Sequence, residues 1–162
     1  MTPVQLRPLA PDDAAVRELI THELGATPYA EASSSALTQA LEAAATGTSM
    51  ESRGLIAERD GEIVGLVLYG LVAGSEGAGK LHAVIVTASA RLHGVGSRLC
   101  NAAIAALAMH GARFVIAEVA DDPRVAPGRA LLAHTGFSEE ARVPDYFADG
   151  VALVFLRHDV RR

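Results

Sequence analysis

Apolar positions near the amino terminus recur with the period of an α-helix. One amphipathic face comprises Val16, Leu19, Ile20 and Leu24, and a second comprises Leu37, Ala40, Leu41 and Ala44. Asp12 stands where an N-cap residue is expected, and Gly25 follows the first face. We therefore predict one helix between Asp12 and Gly25 and a second one capped within Ser33–Ser35.

Shorter apolar runs separated by turn residues predict strands. They cover residues 4–9, 55–58, 63–72, 81–87, 114–119, 137–142 and 151–157. Asp60-Gly61 separates the second run from the third, which is a strong β-hairpin signal. Gly65 and Gly70 interrupt the third run and predict a bulge or the close approach of another backbone. Residues 74–79 and 145–150 are expected to be turns.

Two more helices complete the pattern. A long apolar helix follows residues 81–87 and ends at Gly111, and a short helix begins near Pro127 and ends at Gly136. The predicted order is β-α-α-β-β-β-α-β-α-β-β, with no internal repeat and no linker. We expect a single domain over residues 1–162, in the α/β class, with a mixed, largely antiparallel central sheet and helices on both faces.

The junction between the strand at 81–87 and the long helix carries candidate chemistry. It holds Arg91, Gly94 and Gly96 in the pattern R-x-x-G-x-G. Backbone N–H groups at a helix start lack intrahelical partners, and the helix dipole makes them partly positive. Glycine lets an anion approach that backbone closely, and Arg91 and Arg98 add positive charge. The turn is predicted to bind a diphosphate, although an ordinary flexible connection would also use glycines.

Composition narrows the class of protein. The formal net charge of -5 argues against a general nucleic-acid binder. Cys100, the only cysteine, excludes an intrachain disulfide and is expected in the core. No signal peptide and no run of ~18 apolar residues is present, so a cytoplasmic protein without a membrane span is expected. No metal-ligand spacing and no G-x-S-x-G motif appears, so a metal is not expected.

The glycine turn in this element order resembles that of the GNAT superfamily of N-acetyltransferases, over essentially the whole chain. Arg91-x-x-Gly94-x-Gly96 fits the family's pyrophosphate loop, and His134-Thr135-Gly136-Phe137 is similar to its x-x-G-F ending. Residues 142–157 also resemble the closing hairpin of many bacterial members. The spacing differs from the dinucleotide motif G-x-G-x-x-G, which argues against a nicotinamide oxidoreductase.

The resemblance implies direct transfer of an acetyl group from acetyl-CoA to a primary amine, without a metal or a covalent enzyme intermediate. The acceptor would be a small molecule or a peptide, and members of the superfamily are often homodimers. The alternative is a CoA-binding regulatory module with little or no turnover. The sequence does not identify the acceptor.

The resemblance also assigns donor-binding residues. Val84 and Val86 would offer main-chain groups to the pantetheine arm, and the backbone at Ile85 or Val86 would polarise the thioester carbonyl. The pyrophosphate would be held by the glycine turn, which comprises Arg91, Leu92, His93, Gly94, Val95, Gly96 and Ser97.

The groups that move protons are less evident. The family's frequent acid is a tyrosine four residues before the glycine of x-x-G-F, and Leu132 stands there instead. Tyr146 is the best remaining phenol, although a packed turn residue is the simpler interpretation. Glu118, near the end of an apolar strand, is either a base with a raised pKa or an ordinary solvated carboxylate. His82 is expected to be satisfied or solvent-facing, and Tyr29 to line an acceptor pocket or to be exposed.

Overall fold

Strands and helices alternate along the chain in the computed structural model, which describes residues 2–24, 31–46 and 49–160. Within these ranges the strands are β1 (Gln5–Pro8), β2 (Arg53–Arg59), β3 (Glu62–Leu71), β4 (Ala78–Val86), β5 (Phe114–Ala120), β6 (Ser138–Ala148) and β7 (Val151–Asp159). The helices are α1 (Ala14–Leu24), α2 (Glu31–Thr46), α3 (Val95–Met109) and α4 (Ala126–His134). This is the predicted order of elements.

The strands form one sheet in the order β1-β2-β3-β4-β5-β7-β6. Every neighbouring pair is antiparallel except β4 and β5, which run parallel. The chain makes this parallel step by crossing over through α3, as a parallel connection requires. The predicted mixed, largely antiparallel sheet is confirmed.

Apolar side chains cover both faces of the sheet, and the alternation along β3 shows how. Val67 and Tyr69 face the cluster formed with α3, which includes Leu99 and Leu107. Leu66 and Leu68 face the opposite way, toward the cluster formed with α1 and α2. A strand that is buried on both faces reads as a continuous apolar run, as residues 63–69 do. Helices on both faces are therefore confirmed.

The glycines of the β2–β3 hairpin have the roles that their positions predict. Asp60 and Gly61 both have positive φ, 54° and 79°, which suits a two-residue turn. Gly65 lies beside a bulge, because its pairing with Ala57 is followed by a register shift. At Gly70, a Cβ atom would lie only 1.8 Å from the carbonyl oxygen of Glu51. The backbone before β2 therefore rests directly on β3 at this point.

The predicted helix starts were wrong by one or a few residues. Helix α1 begins after Asp13 rather than Asp12, and the Asp13 carboxylate is fixed there by the Ala10 N–H at 2.6 Å and by Arg7. Helix α2 begins at Glu31, so residues 33–35 lie inside it instead of capping it. Serine costs little within a helix, and burial of the α2 apolar face outweighs that cost. Gly25 and Tyr29 lie outside the described residues.

The predicted turns at 74–79 and 145–150 were too long. Strand β4 already begins at Ala78, and β6 continues through Ala148. The closing turn is short because the Gly150 N–H donates to the Asp145 carboxylate at 2.7 Å. The register shift between Val143 and Ala148 takes up the extra residues as an irregular bulge, with Asp145 at φ 52°.

Candidate active site

A wedge opens in the middle of the sheet, between β4 and β5. The two strands pair from Ala78–Phe114 to Leu81–Ala117 and no further. Strand β4 nevertheless continues to Val86 and β5 to Ala120, so both lack each other as partners over their last residues. Because parallel strands end at the same edge of the sheet, the wedge opens toward the start of α3.

The edge of β4 that faces the wedge can be identified from its pairing with β3. The Thr87 N–H donates to the Val64 carbonyl at 3.0 Å, and Val86 is opposite Gly65. Main-chain groups alternate in direction along an antiparallel strand, so the N–H and C=O groups of Ile85 also point toward β3. The N–H and C=O groups of Val84 and Val86 therefore point into the wedge.

The glycine turn lies where β4 passes into α3, at the mouth of the wedge. Leu92 has φ 63° and Gly94 has φ 76°, so left-handed residues flank His93. Such an alternation turns successive N–H groups toward one side and makes an anion-binding concavity. At the start of α3, the Arg98 N–H donates to the Gly94 carbonyl at 3.0 Å. The N–H groups of residues 95–97, in the first turn of the helix, have no partner within the helix.

Arg91 braces this turn. Its Nε donates to the Val86 carbonyl at 3.1 Å, and its guanidinium forms an ion pair with Glu23 of α1. The ion pair with Glu23 offsets part of the positive charge that we expected Arg91 to offer to a bound anion. Arg98 likewise donates to the Val4 carbonyl at 2.9 Å. The main-chain N–H groups are thus the principal anion donors of the turn.

His93 is also fixed within the turn. Its Nδ1 lies 2.7 Å from the Arg91 carbonyl oxygen, which can only accept a hydrogen bond, so Nδ1 carries the proton. The neutral ring then presents a lone pair at Nε2. His93 can donate to a phosphate through Nε2 only as an imidazolium.

Glu118 is the first residue of β5 after the last β4–β5 pair, at the narrow end of the wedge, which we call its foot. Its Oε1 accepts a hydrogen bond from Lys80 Nζ at 2.7 Å, and 37% of its side chain is exposed. The neighbours Leu81 in β4 and Ala117 in β5 face α3. Successive side chains of a strand point to opposite faces of the sheet, so Lys80 and Glu118 point toward α1 and α2. Glu118 is therefore a paired, half-exposed carboxylate rather than a carboxylate buried in apolar surroundings.

His82 also lies at the foot of the wedge. Strand β3 pairs Leu68 with Ala83 and Tyr69 with Leu81, so His82 is the extra residue of a bulge in β4. Burial lowers the pKa of its ring, as does the nearby Lys80, while the Glu51 main-chain carbonyl acts in the opposite direction. The sequence analysis gave His82 no role. The signal that could have pointed to it is Gly70, whose missing side chain lets the Glu51 backbone approach the sheet next to His82.

Tyr146 lies in the irregular bulge of β6, two strands away from β5. Its ring packs edge-on against Phe147, with 4.9 Å between ring centroids, and 59% of the residue is exposed. Residues 143–147 lie beyond the end of β5, because Val143 and Ala120 are both paired to Leu153. Tyr146 is thus at the wedge end of the sheet.

Two other positions carry no proton chemistry. Leu132 is buried in the cluster around α3, and the other face of α4 offers no phenol in its place. Cys100 is fully buried mid-helix as expected, and burial raises the pKa of its thiol to about 11.

A cluster of ion pairs ties the end of β5 to its neighbours. Asp121 pairs with Arg129 of α4 and with Arg142 of β6, and Arg142 also binds Glu139 at 3.0 Å. Asp122 is buried, caps the following turn through the Arg124 N–H, and has a pKa lowered to about 2 by Arg124. These carboxylates are engaged in fixing the β5 side of the wedge.

The described residues contain no group of three or more His, Cys, Asp or Glu side chains placed to hold a metal ion. Within the same residues, the helices are too short or too polar to cross a bilayer.

Comparison with known proteins identifies the family. The model of the acetyltransferase (GNAT) family matches residues 16–137, so the chain belongs to that family and is an acyltransferase of the acetyl-transferring type. No match is found among curated proteins.

Solved structures share the fold. A GNAT-family protein from Desulfovibrio desulfuricans is 22% identical with a TM-score of 0.85, over 98% of this chain and 100% of that one. The yncA protein of Salmonella typhimurium, solved with its cofactor acetyl-CoA, is 19% identical with a TM-score of 0.77, over 98% and 95%. An aminoglycoside 6′-N-acetyltransferase complexed with coenzyme A is 15% identical with a TM-score of 0.77, over 98% of both chains.

Proposed function

We propose that this protein transfers the acetyl group of acetyl-CoA to a primary amine. The observation that carries the proposal is the wedge between β4 and β5, which opens directly onto the glycine turn. An extended pantetheine chain with amide groups can pair with a strand edge, and the diphosphate at its end needs a cluster of N–H donors. One continuous surface of this chain supplies both.

The residues present fit such a donor. Val84 and Val86 supply main-chain groups for the pantetheine amides, and the turn from Arg91 to Ser97 supplies donors for the diphosphate. Ile85 points toward β3, so we assign polarisation of the thioester carbonyl to the N–H groups that face the wedge. With the diphosphate at the turn, Val84 is the nearer of the two to the thioester.

The acceptor would enter from the α1–α2 side of the sheet. Lys80, His82 and Glu118 are the polar side chains at the foot of the wedge on this side. Attack needs a neutral amine, and the departing sulfur needs a proton. From the sequence, Glu118 is a candidate for the first proton transfer and Tyr146 for the second. Glu118 lies at the foot of the wedge, where His82 also lies, and Tyr146 lies at the same end of the sheet.

An acetyl-CoA-binding module without turnover is the second candidate. The buried Leu132 favours it, because the position that often carries the family's acid is apolar here. A thiol with a pKa near ~8.5 leaves without much assistance, however, so the missing tyrosine does not by itself prevent transfer.

The test combines binding and turnover. Isothermal titration should show that acetyl-CoA binds, and a thiol-detecting assay should show CoA release that depends on an added amine. The panel should cover polyamines, aminoglycosides, free amino acids and peptides with free amino termini. Binding without amine-dependent release across the panel would favour the regulatory module, and absence of binding would exclude both functions.

A further inference from the structure

His82 is placed where three local features coincide. It is the extra residue of the β4 bulge, it is the first residue of β4 beyond the last pair with β5, and its neighbour Ala83 packs on the α1–α2 side. Bulges re-aim side chains and recur beside active sites. The bulge therefore brings the His82 ring to the foot of the wedge.

An unusual backbone contact lies beside this ring. Gly70 has no Cβ, and a Cβ there would lie 1.8 Å from the Glu51 carbonyl oxygen and 2.3 Å from its carbon. The neighbouring bond, from the Leu71 N–H to the Met50 carbonyl at 2.8 Å, fixes the same segment on β3. The Glu51 carbonyl thereby lies beside the His82 ring, where its partial negative charge acts to raise the pKa of the ring. A neutral imidazole has one ring nitrogen whose lone pair can accept a proton.

The donor geometry brings the reacting carbon toward this ring. The distance from Val86 to His82 along β4 is about 13 Å at ~3.3 Å per residue. With the diphosphate in the glycine turn, the pantetheine arm would run along β4 past Val86 and Val84, toward the end of the wedge where His82 lies.

Glu118 is less suited than His82 to accept a proton from the acceptor amine. Lys80 occupies its Oε1 at 2.7 Å, so the carboxylate serves an ion pair. The charged side chains acting on His82 are Lys80 from its own strand and Glu118 from β5, while Glu51 acts through its main chain. Burial and Lys80 keep the ring neutral near neutral pH, and Glu118 would favour the imidazolium once it forms.

We propose that His82 accepts the proton that the acceptor amine must lose, with Gly70 and Glu51 as positioning residues. The inference rests on the proposed function. The ammonium gives one proton to the free His82 nitrogen, and the amine lone pair forms a C–N bond to the thioester carbon. The C–S bond then breaks, the second nitrogen proton ends on the CoA sulfur, and His82 releases its proton to water.

The first experiment compares His82→Gln with His110→Gln, an exposed histidine at the end of α3. The assay uses the panel amine with the highest release. We expect His82→Gln to bind acetyl-CoA like the wild type but to lose ~100-fold or more in kcat/KM for the amine. The wild-type kcat/KM should fall as pH drops below a pKa lower than the ordinary histidine value of 6.5, and the variant should lack this acid limb. Imidazole should partly restore His82→Ala.

The second experiment tests positioning. Gly70→Ala displaces the Glu51 carbonyl, which acts to raise the His82 pKa, so the acid limb should move to lower pH while kcat falls. Gly128→Ala, where a Cβ meets nothing within 4 Å, is the matched control. A purely structural loss would reduce kcat without moving the limb.

The outcomes separate the two proposals. A His82→Gln variant with wild-type rate and acid limb would overturn the role of His82 and leave acetyl transfer intact. Failure of the wild type to release CoA with every amine would overturn both.

Discussion

Gly96 and Leu131 are in contact across the α3–α4 interface. A Cβ on Gly96 would lie 2.8 Å from Leu131 Cδ2 and 3.2 Å from Cδ1. The second glycine of the diphosphate turn therefore also lets the two helices approach. The missing side chain of Gly96 therefore matters for packing as well as for the donor binding that we propose.

The first prediction separates these two roles. Gly96→Ala should destabilise the protein by about 1–3 kcal/mol through overpacking, and adding Leu131→Ala should recover part of the loss. Urea unfolding of the single and double variants gives the coupling free energy. Additive effects would show that the contact is not the cause. For the same reason Gly96→Asp, which from the sequence alone is expected to weaken donor binding while leaving the fold intact, should also lower stability.

A cleaner test of anion binding uses Ser97, in the first turn of α3. Ser97→Asp should weaken acetyl-CoA binding tenfold or more through repulsion, yet leave stability unchanged or raise it by ~0.3–1 kcal/mol, since an acid suits a helix amino terminus. Ser97→Asn is the uncharged control. Calorimetric titration and thermal melting measure the two effects, and equal affinities for both variants would contradict the diphosphate assignment.

Hydrogen exchange should reveal which edge of β4 is open. In the free protein we expect the Val84 and Val86 amides to exchange faster than the Ile85 amide, because only Ile85 is bonded to β3. Saturating acetyl-CoA should slow the first two and change Ile85 little. Amide-resolved NMR provides the measurement, and protection confined to Ile85 would refute the proposed register of donor binding.

Tyr146→Phe tests the proposed acid. The substitution removes the hydroxyl and keeps the ring that packs on Phe147. If the hydroxyl protonates the departing sulfur, kcat should fall ~100-fold or more with little change in acetyl-CoA affinity. Tyr69→Phe, at a buried position in β3, controls for loss of a phenol elsewhere. Full activity of Tyr146→Phe would mean that the thiolate leaves with help from water alone.

Local patterns predicted the elements that depend on neighbouring residues. The hairpin at Asp60-Gly61 and the strand-to-helix turn at Gly94 each require left-handed backbone, and glycine makes that requirement visible in the sequence. The apolar run at residues 63–72 likewise predicted the strand that the structure shows as β3. Gly65 and Gly70 pointed to a bulge and a close backbone approach, which the structure shows.

Contacts between distant parts of the chain were not predictable in this way. Arg91 and Glu23 are 68 residues apart, and nothing in either segment specifies their pairing. The bulge that sets His82 at the foot of the wedge is a property of β3–β4 register, and the Lys80–Glu118 pair depends on the crossover through α3. Gly70 predicted the close approach of another backbone but did not identify that backbone as Glu51. The donor turn is a local motif, whereas the groups that would move protons are assembled by the sheet.

The early end of β4–β5 pairing at Leu81 and Ala117 has an evolutionary consequence. A site built from main-chain edges requires an extended strand, and it places few demands on the side chains along that strand. Val84 and Val86 can therefore be exchanged for other β-formers without loss of the wedge. We therefore expect such a site to tolerate wide sequence drift, with divergence concentrated on the side chains that meet the second substrate.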